Sequence, residues 1–176
     1  MRKITFGGAN SLDNFFARKD HAVDWLMWSD EAGAVMAGYW KTIDTVLLGR
    51  KTYEVAQRQS KGKQSAFPGI QSYVFSRTLA SAPGATIVSD DAAGFVRGLK
   101  EKPGKDICLM GGGELARPLF EAGLIDEIGF NIHPVLLGRG IPLFHTMSRQ
   151  TDLELIECRQ FKNGCVYVLY RVLGVQ

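Results

Sequence analysis

The stretch from Ile107 to Phe120, "ICLMGGGELARPLF", decides which fold the sequence can adopt. Its first four residues are apolar and predict a buried strand, and the residues after Gly111, Gly112 and Gly113 follow a helical pattern. A strand that passes through glycines directly into a helix is typical of a parallel α/β unit. Three missing side chains in a row also indicate either a sharp turn or a close approach of another group to the backbone.

The same strand-then-helix order recurs toward the N-terminus. Strands are predicted at "RKITFGGA", "DTVLLG", "QSYVFS", "TIVS" and "DICLMG". Helices are predicted from Asp30 to Trp40 with Ser29 as its cap, directly after Gly49, over "DDAAGFVRGLKE" with Ser89 as its cap, and through about Glu121. The segment "SLDNFFARKDHAVDW" is predicted as a loop. This order predicts parallel strands joined by right-handed crossovers.

The last third of the chain has a different pattern. "IDEIGFNIHPVLLG", "LELIECRQF" and "CVYVLYRVLG" are three strand patterns without a helix between them. "KNG" at 162–164 predicts a hairpin turn, because Asn and Gly both tolerate positive φ. We therefore predict a single α/β domain, 1–176, with a mixed sheet that begins parallel, ends in an antiparallel C-terminal hairpin and is flanked by helices.

The composition excludes several classes of protein. The chain has 176 residues, of which 45% are hydrophobic and 22% charged, and its net charge is +3. No apolar run is long enough to span a membrane and the N-terminus has no leader pattern, so a cytoplasmic protein with no membrane partner is expected. The densest basic run, "RQSKGKQ", is too short to predict nucleic-acid binding. The three Cys and three His show no metal-ligand spacing, so no metal is expected.

The glycine run is a candidate anion site. Backbone N–H groups at a strand-to-helix junction are free to bind a phosphate, and the helix dipole favours negative charge there. A tight turn with nothing bound is the alternative. The chain has no P-loop pattern. Gly111-x-Gly113-x-x-Ala116 meets a loose dinucleotide fingerprint, but the acidic residue expected about 20 positions later is missing, so an ordinary Rossmann fold is disfavoured.

Two other strand ends carry groups that bind phosphate. Arg50, Lys51 and Thr52 follow one strand, and Ser76, Arg77 and Thr78 follow the next. Ligands of open α/β sheets bind beyond the carboxyl ends of the strands, so these segments are expected to converge with the glycines. Guanidinium and hydroxyl groups suit an additional phosphate, which favours NADPH over NADH. Exposed charge at two helix starts is the alternative.

These segments together resemble the dihydrofolate reductase-like superfamily, and within it the RibD C-terminal domain of riboflavin-biosynthesis reductases. The similar parts are "LLGRKTYE", "VFSRT", "MGGGELARPLFEAGLIDEI" and "HPVLLGRGIPLF". The resemblance implies an NADPH-dependent reductase that binds a small-molecule substrate and forms a homodimer. It implies cofactor contacts at Ala9, Gly49, Arg50, Lys51, Thr52, Ser76, Arg77, Gly111, Gly112, Gly113, Glu114 and Leu115.

The substrate side of the site is less constrained. The resemblance places a substrate-binding carboxylate near Asp30 and Glu31, our candidate catalytic residues, and Asp24 precedes them in "VDWLMW". Acids in a first helical turn also simply complement the dipole. Where riboflavin-branch members show S-L-D-G, this chain has Asn14 last, which tolerates the left-handed conformation. The aromatic-rich stretch around Trp25, Trp28 and Trp40 could line a substrate pocket or belong to the core and a dimer surface.

Three functions are consistent with these patterns. The first is a reductase that transfers hydride from NADPH to a C=N or C=O bond of a pterin- or ribosylaminopyrimidine-like heterocycle. The second is a non-catalytic NADPH-binding module or partner subunit. The third is a structural dimer whose glycines only form turns.

Overall fold

The computed structural model describes residues 1–60 and 65–174, so most of the basic run "RQSKGKQ" lies outside the described residues. This part of the chain forms ten strands and four helices. They are β1 (Ile4–Ser11), β2 (Phe15–Ala17), α1 (Asp30–Thr42), β3 (Ile43–Gly49), α2 (Arg50–Gln59), β4 (Gln71–Phe75), β5 (Thr86–Val88), α3 (Ala92–Glu101), β6 (Asp106–Gly111), α4 (Gly113–Glu121), β7 (Glu127–His133), β8 (Ile141–Pro142), β9 (Asp152–Gln160) and β10 (Val166–Leu173).

Eight of the strands form one sheet in the order β5-β4-β3-β6-β1-β7-β10-β9. The pairs from β5 through to β7 are parallel, and β7–β10 and β10–β9 are antiparallel. β2 and β8 form a separate two-stranded ribbon. The predicted α/β class is confirmed: the sheet begins parallel, ends antiparallel and is flanked by helices.

Alternate residues of the central strands face different helices, as the period-2 geometry of a strand requires. On β3, Leu47 packs into the core that includes α3 and α4. Its neighbours Val46 and Leu48 pack into a second core with Tyr53 of α2 and the partly buried Trp40 of α1. The two pairs of helices therefore cover opposite faces, and the parallel part of the sheet is buried on both sides.

The hairpin is confirmed at the predicted place, with a different turn geometry. Phe161 N–H donates to the Cys165 carbonyl at 2.9 Å, which encloses a three-residue loop. Within the loop Gly164 has φ +87°, whereas Asn163 is not among the residues with positive φ. Three-residue hairpin loops need one left-handed residue at their end, which glycine supplies here. The predicted left-handed conformation of Asn14 is also observed, with φ 62°.

Three sequence-based expectations needed correction. The first strand begins at Ile4 and not at Arg2, whose side chain is instead buried and bonded to Thr45. The predicted loop 11–25 contains β2, which is three residues long. The cap of α3 is Asp91, whose carboxylate accepts from Gly94 N–H at 2.9 Å; Ser89 donates to Asp90 instead.

Candidate functional site

The three segments singled out in the sequence end side by side. β3 lies between β4 and β6, with Gly49 beside Phe75 and Leu48 beside Gly111 in the strand register. Ser76 follows directly after β4, and its N–H donates to the Val88 carbonyl of β5 at 3.0 Å. We call this edge, made of residues 49–52, 76–78 and 111–115, the carboxyl rim.

Two strand-to-helix junctions of the carboxyl rim are in contact. A Cβ placed on Gly49 would lie 3.4 Å from the Gly112 nitrogen and 3.5 Å from the Gly111 oxygen. The Oγ1 atom of Thr52 lies 4.0 Å from the corresponding positions on Gly111 and Gly112. The start of α2 therefore lies in van der Waals distance of the glycine run, with the Thr52 hydroxyl close to it.

The three consecutive glycines are explained by different physical constraints. Gly111 has φ +112°, which favours glycine, and the peptide bond that follows it is cis. A Cβ on Gly113 would lie 2.5 Å from the Leu143 carbonyl oxygen, so no side chain fits there. Gly112 has φ −84°, and Thr52 Oγ1 is the one neighbour found near its Cβ position, at 4.0 Å. The fold itself requires Gly111 and Gly113, whereas Gly112 borders open space.

The helices that start at this rim lack side-chain caps. α2 begins after Gly49 and α4 after Gly112, and neither cap residue offers a side chain to the first-turn N–H groups. The other two helices are capped: Ser29 Oγ accepts from Ala32 N–H at 3.1 Å, and Asp91 caps α3. Two helix starts with available N–H groups therefore meet at one edge, which produces positive potential there.

Arg50 lies at the first position of α2 and reaches across to the segment that follows β4. One terminal nitrogen donates to Thr78 Oγ1 at 2.8 Å, and Nε donates to Oε1 of Glu54 at 2.7 Å. Ser76 Oγ accepts from the backbone N–H groups of Thr78 and Leu79, at 3.3 and 3.0 Å. These contacts hold a guanidinium and two hydroxyls together beyond the ends of β3 and β4.

The rest of the rim is open or contributes only backbone. Lys51, Arg77 and Glu114 are exposed, whereas the Leu115 side chain is buried in the core. Arg77 and Ser76 line a cavity of about 380 Å³ with Asp90, Asp91 and other residues of β4, β5 and the start of α3. Asp90 and Asp91 were not predicted near the rim, because the sequence pattern placed both in the first turn of a helix capped by Ser89.

Ala9 lies two residues before the end of β1, the strand next to β6, and pairs with Asn131 of β7. The Phe16 ring lies against this region, at 3.2 Å from a Cβ placed on Gly8 and 3.3 Å from one on Gly111. Phe16 was missed because it was assigned to a loop. Its ring packs edge-on against Phe6 and Phe130, which ties the β2–β8 ribbon to the sheet.

The candidate acids at and just before α1 have no described contact with the carboxyl rim. Glu31 Oε2 accepts from the backbone N–H of Lys162 at 2.9 Å, which ties the start of α1 to the β9–β10 hairpin. Asp30 is exposed, and Asp24 forms an ion pair with Arg18. The contacts made by Glu31 and Asp24 therefore bind them to other parts of the fold, and the described contacts do not connect them to the carboxyl rim.

The aromatic-rich stretch divides between core and surface. Trp25 is buried edge-on against His133, Trp40 packs beside Phe67, and Trp28 is 82% exposed. His133 Nδ1 accepts from the Met27 N–H at 3.2 Å, and burial lowers the pKa of the imidazole. Burial also raises the pKa of Cys108 to about 12, so this thiol stays protonated and is no nucleophile.

The eight-stranded order, the two helix pairs and the antiparallel end define a dihydrofolate reductase-like fold. The sequence model of the RibD C-terminal domain matches residues 2–167. The chain therefore belongs to the RibD C-terminal domain family. Among its relatives is YyaP of Bacillus subtilis strain 168, which is 33% identical over 99% of this chain and 97% of its own length.

Solved structures share the fold at lower identity. A protein from Shewanella sp. PV-4 has a TM-score of 0.83 at 22% identity and covers 99% of this chain and 100% of its own. The Thermotoga maritima deaminase and 5-amino-6-(5-phosphoribosylamino)uracil reductase has a TM-score of 0.71 at 14% identity, over 98% of this chain and 57% of its own. Enterococcus faecalis dihydrofolate reductase, in complex with NADP(H), has a TM-score of 0.69 at 15% identity, over 98% and 97%.

The structure also bears on membrane-spanning helices and on metal sites. In residues 1–60 and 65–174, no helix is both long and apolar enough to cross a bilayer. The same ranges contain no group of three or more His, Cys, Asp or Glu side chains arranged to hold a metal ion.

Proposed function

We propose that this protein is an NADPH-dependent reductase that transfers hydride to a small heterocycle of the pterin or ribosylaminopyrimidine kind. Membership of the RibD C-terminal domain family supports a reductase role in riboflavin biosynthesis. The observation that carries the proposal is the pair of uncapped helix starts that meet beside the open space at Gly112.

The residues of the carboxyl rim fit a dinucleotide. The N–H groups at the starts of α2 and α4 are the donors that a diphosphate requires, and Gly112 leaves the backbone accessible to it. The Thr52 hydroxyl lies beside the same glycine and can add one more hydrogen bond. Gly49, Gly113, Glu114 and Leu115 would contribute backbone alone.

The groups beyond β3 and β4 fit the adenosine end of a phosphorylated cofactor. Arg50, Lys51 and Arg77 supply positive charge, and Ser76 and Thr78 supply hydroxyls. The cavity beside Arg77 has room for a heterocyclic ring. A 2′-phosphate bound there would favour NADPH, because guanidinium pairs strongly with phosphate oxygens.

When bound, the nicotinamide supplies the hydride, and the protein's task is to orient it and to keep the reacting atoms apart from bulk water. Family resemblance assigns the Ala9 backbone to the nicotinamide side. A proton must also reach the product. We propose that Asp30 delivers it through water, because its carboxylate is exposed and no described contact holds it, whereas Glu31 is bonded to Lys162 N–H.

We also propose, from the family resemblance, that the protein is a cytoplasmic homodimer that uses its β-rich C-terminal third and the segment 134–144. Leu136 in this segment is 70% exposed and Phe144 is 39% exposed. Such apolar side chains are often covered by a second subunit. Sedimentation of the purified protein tests this part separately, and a monomer at micromolar concentration would contradict it.

Thermal unfolding with added nucleotide tests the cofactor site. A ligand that binds only the folded protein adds about 2.7 kcal/mol of stability at one hundred times its Kd. For a domain of this size the melting temperature should rise by roughly 5 to 10 °C with NADPH, and by less with NADH at the same concentration. The double variant Arg50→Ala, Arg77→Ala should lose the difference between the two nucleotides.

Other results would remove the proposal in parts. No shift with either nucleotide would rule out dinucleotide binding at the rim. A preference for NADPH that persists in the double variant would rule out the assigned phosphate site. Consumption of NADPH with dihydrofolate or a ribosylaminopyrimidine would distinguish an enzyme from a non-catalytic binding module. The second function is favoured by the hydrogen bond that ties Glu31 to the hairpin. Asp30→Asn should slow that turnover without changing the NADPH-induced shift.

A further inference from the structure

One side of the Arg50 guanidinium is already occupied. Its Nε donates to Oε1 of Glu54, one helical turn further along α2, while a terminal nitrogen donates to Thr78 Oγ1. A guanidinium binds phosphate most strongly through two parallel N–H groups that share an edge. Glu54 covers the edge that includes Nε, so a phosphate must either approach the terminal nitrogens or displace this carboxylate.

We propose that Glu54 is a specificity-determining residue that weakens the hold of Arg50 on the 2′-phosphate of the cofactor; this inference rests on the proposed function. The carboxylate both occupies the Nε edge and adds a negative charge close to a phosphate that is itself negatively charged. The affinities for phosphorylated and unphosphorylated dinucleotides therefore differ less than they would if Arg50 acted without Glu54.

The burial of the pair determines the size of the effect. The side chains of Arg50 and Glu54 are 49% and 41% exposed, so water screens their interaction and a phosphate can displace the carboxylate at small cost. The effect is accordingly a few-fold change in affinity. Carboxylates also lie near the second guanidinium, since Asp90 and Asp91 line the cavity that contains Arg77. The part of the rim proposed to bind the adenosine end of the cofactor therefore has a smaller net positive charge than its two arginines alone would give.

The variant Glu54→Gln tests the proposal because it removes the charge and keeps the shape of the side chain. Dissociation constants are measured by calorimetry at low ionic strength for two matched pairs of probes: NADPH with NADH, and 2′,5′-ADP with 5′-AMP. We expect NADPH and 2′,5′-ADP to bind about three- to tenfold more tightly to the variant. NADH and 5′-AMP should change by less than about twofold.

Two further variants make the test specific. Glu101→Gln removes the same charge at the last residue of α3, about 15 Å along that helix from the cavity, and should change none of the four constants. In an Arg50→Ala background, Glu54→Gln should give a smaller gain for 2′,5′-ADP, because only the repulsion between the carboxylate and the phosphate is then left to remove. The gain should also shrink in 0.5 M salt.

The outcomes separate this inference from the proposed function. If the wild-type protein binds none of the four probes, the proposed function fails and this inference fails with it. If the wild-type protein binds NADPH and Glu54→Gln binds the 2′-phosphorylated probes equally or more weakly, only the inference is overturned, and Glu54 then serves to orient Arg50. A gain of equal size for NADH would overturn it as well.

Discussion

Charged and polar groups are paired differently at the two ends of the parallel strands. At the amino ends, which we call the amino edge, Arg2 is buried and bonded to Asp44 and Thr45. Nearby, Lys100 is 7% exposed and donates both to the Leu124 carbonyl and to Asp126, whose carboxylate also accepts from Ile4 N–H. The charges of this edge are paired with one another.

At the carboxyl rim, backbone N–H groups and several cations have no such partners among the described contacts. Two helix starts are uncapped, Lys51 and Arg77 are exposed, and Arg50 is held by partners that are themselves near solvent. Buried charges that are paired with each other hold one structure in place. They cannot bind a ligand unless the ion pair is first broken. Comparison of the two edges therefore predicts that stability depends mainly on one end of the strands and the proposed cofactor binding on the other.

The largest expected effect comes from the amino edge. Asp126→Ala leaves the Lys100 ammonium buried without its carboxylate and removes the acceptor for Ile4 N–H. We expect a loss of about 3 kcal/mol in the free energy of unfolding, measured by urea denaturation. Glu154→Ala is the matched control, because it removes a carboxylate from an ion pair with Arg171 in which both side chains are more than half exposed, and it should cost less than about 0.5 kcal/mol.

If the two edges are independent, loss of stability at the amino edge should not change cofactor binding at the carboxyl rim. The melting-temperature increase that NADPH produces should be the same in Asp126→Ala as in the wild-type protein. If the increase disappears while the variant remains folded, the two edges are coupled and our comparison is wrong.

An intermediate effect is expected from two adjacent glycines of the rim. Gly113→Ala places a methyl group 2.5 Å from the Leu143 carbonyl, and we expect a destabilisation of about 1 to 3 kcal/mol. Gly112→Ala has an allowed backbone conformation and free space, so its stability should stay within about 0.5 kcal/mol of wild type. The same methyl group should weaken NADPH binding at least tenfold, as seen by calorimetry, because it covers the donors. Retained affinity in Gly112→Ala would place the diphosphate elsewhere.

The smallest effect concerns His133, at the carboxyl end of β7 and outside the rim. Its ring is 2% exposed and accepts from Met27 N–H, and burial lowers the pKa of the imidazole. Below about pH 6.5 the unfolded chain binds a proton that the folded protein resists, so stability falls as the pH falls. His133→Gln should show a shallower decline in the free energy of unfolding between pH 7 and pH 5. Parallel declines in both proteins would contradict this assignment.

Much of the fold follows from local sequence. Ser29 precedes an acidic first turn and caps α1 as predicted, and the apolar runs before Gly49 and Gly111 form the central strands. Gly164 closes the last hairpin. In each case the residues that determine the element lie within a few positions of it, so tertiary contacts do not overrule the local preference.

The remainder depends on contacts between distant residues. β2 and β8 are too short to produce a periodic pattern, and they form because Phe15 pairs with Pro142 far along the chain. Glu31 was a plausible substrate ligand by position, but the direction of its side chain depends on where the hairpin presents Lys162 N–H. The glycine run likewise predicted an anion site, although two of its members are explained by the packing of Leu143 and by backbone geometry.

The central position of β1 has a consequence for how the protein is made. Ile4 pairs with Ile107 of β6, and Phe6 pairs with Ile128 of β7, so both neighbours of β1 emerge from the ribosome about a hundred residues after it. Until then an apolar strand waits without partners in a nascent chain, at a translation rate of roughly 5 to 20 residues per second. For several seconds of each synthesis cycle this segment is therefore exposed, and the sheet can be completed only after β10 has been translated.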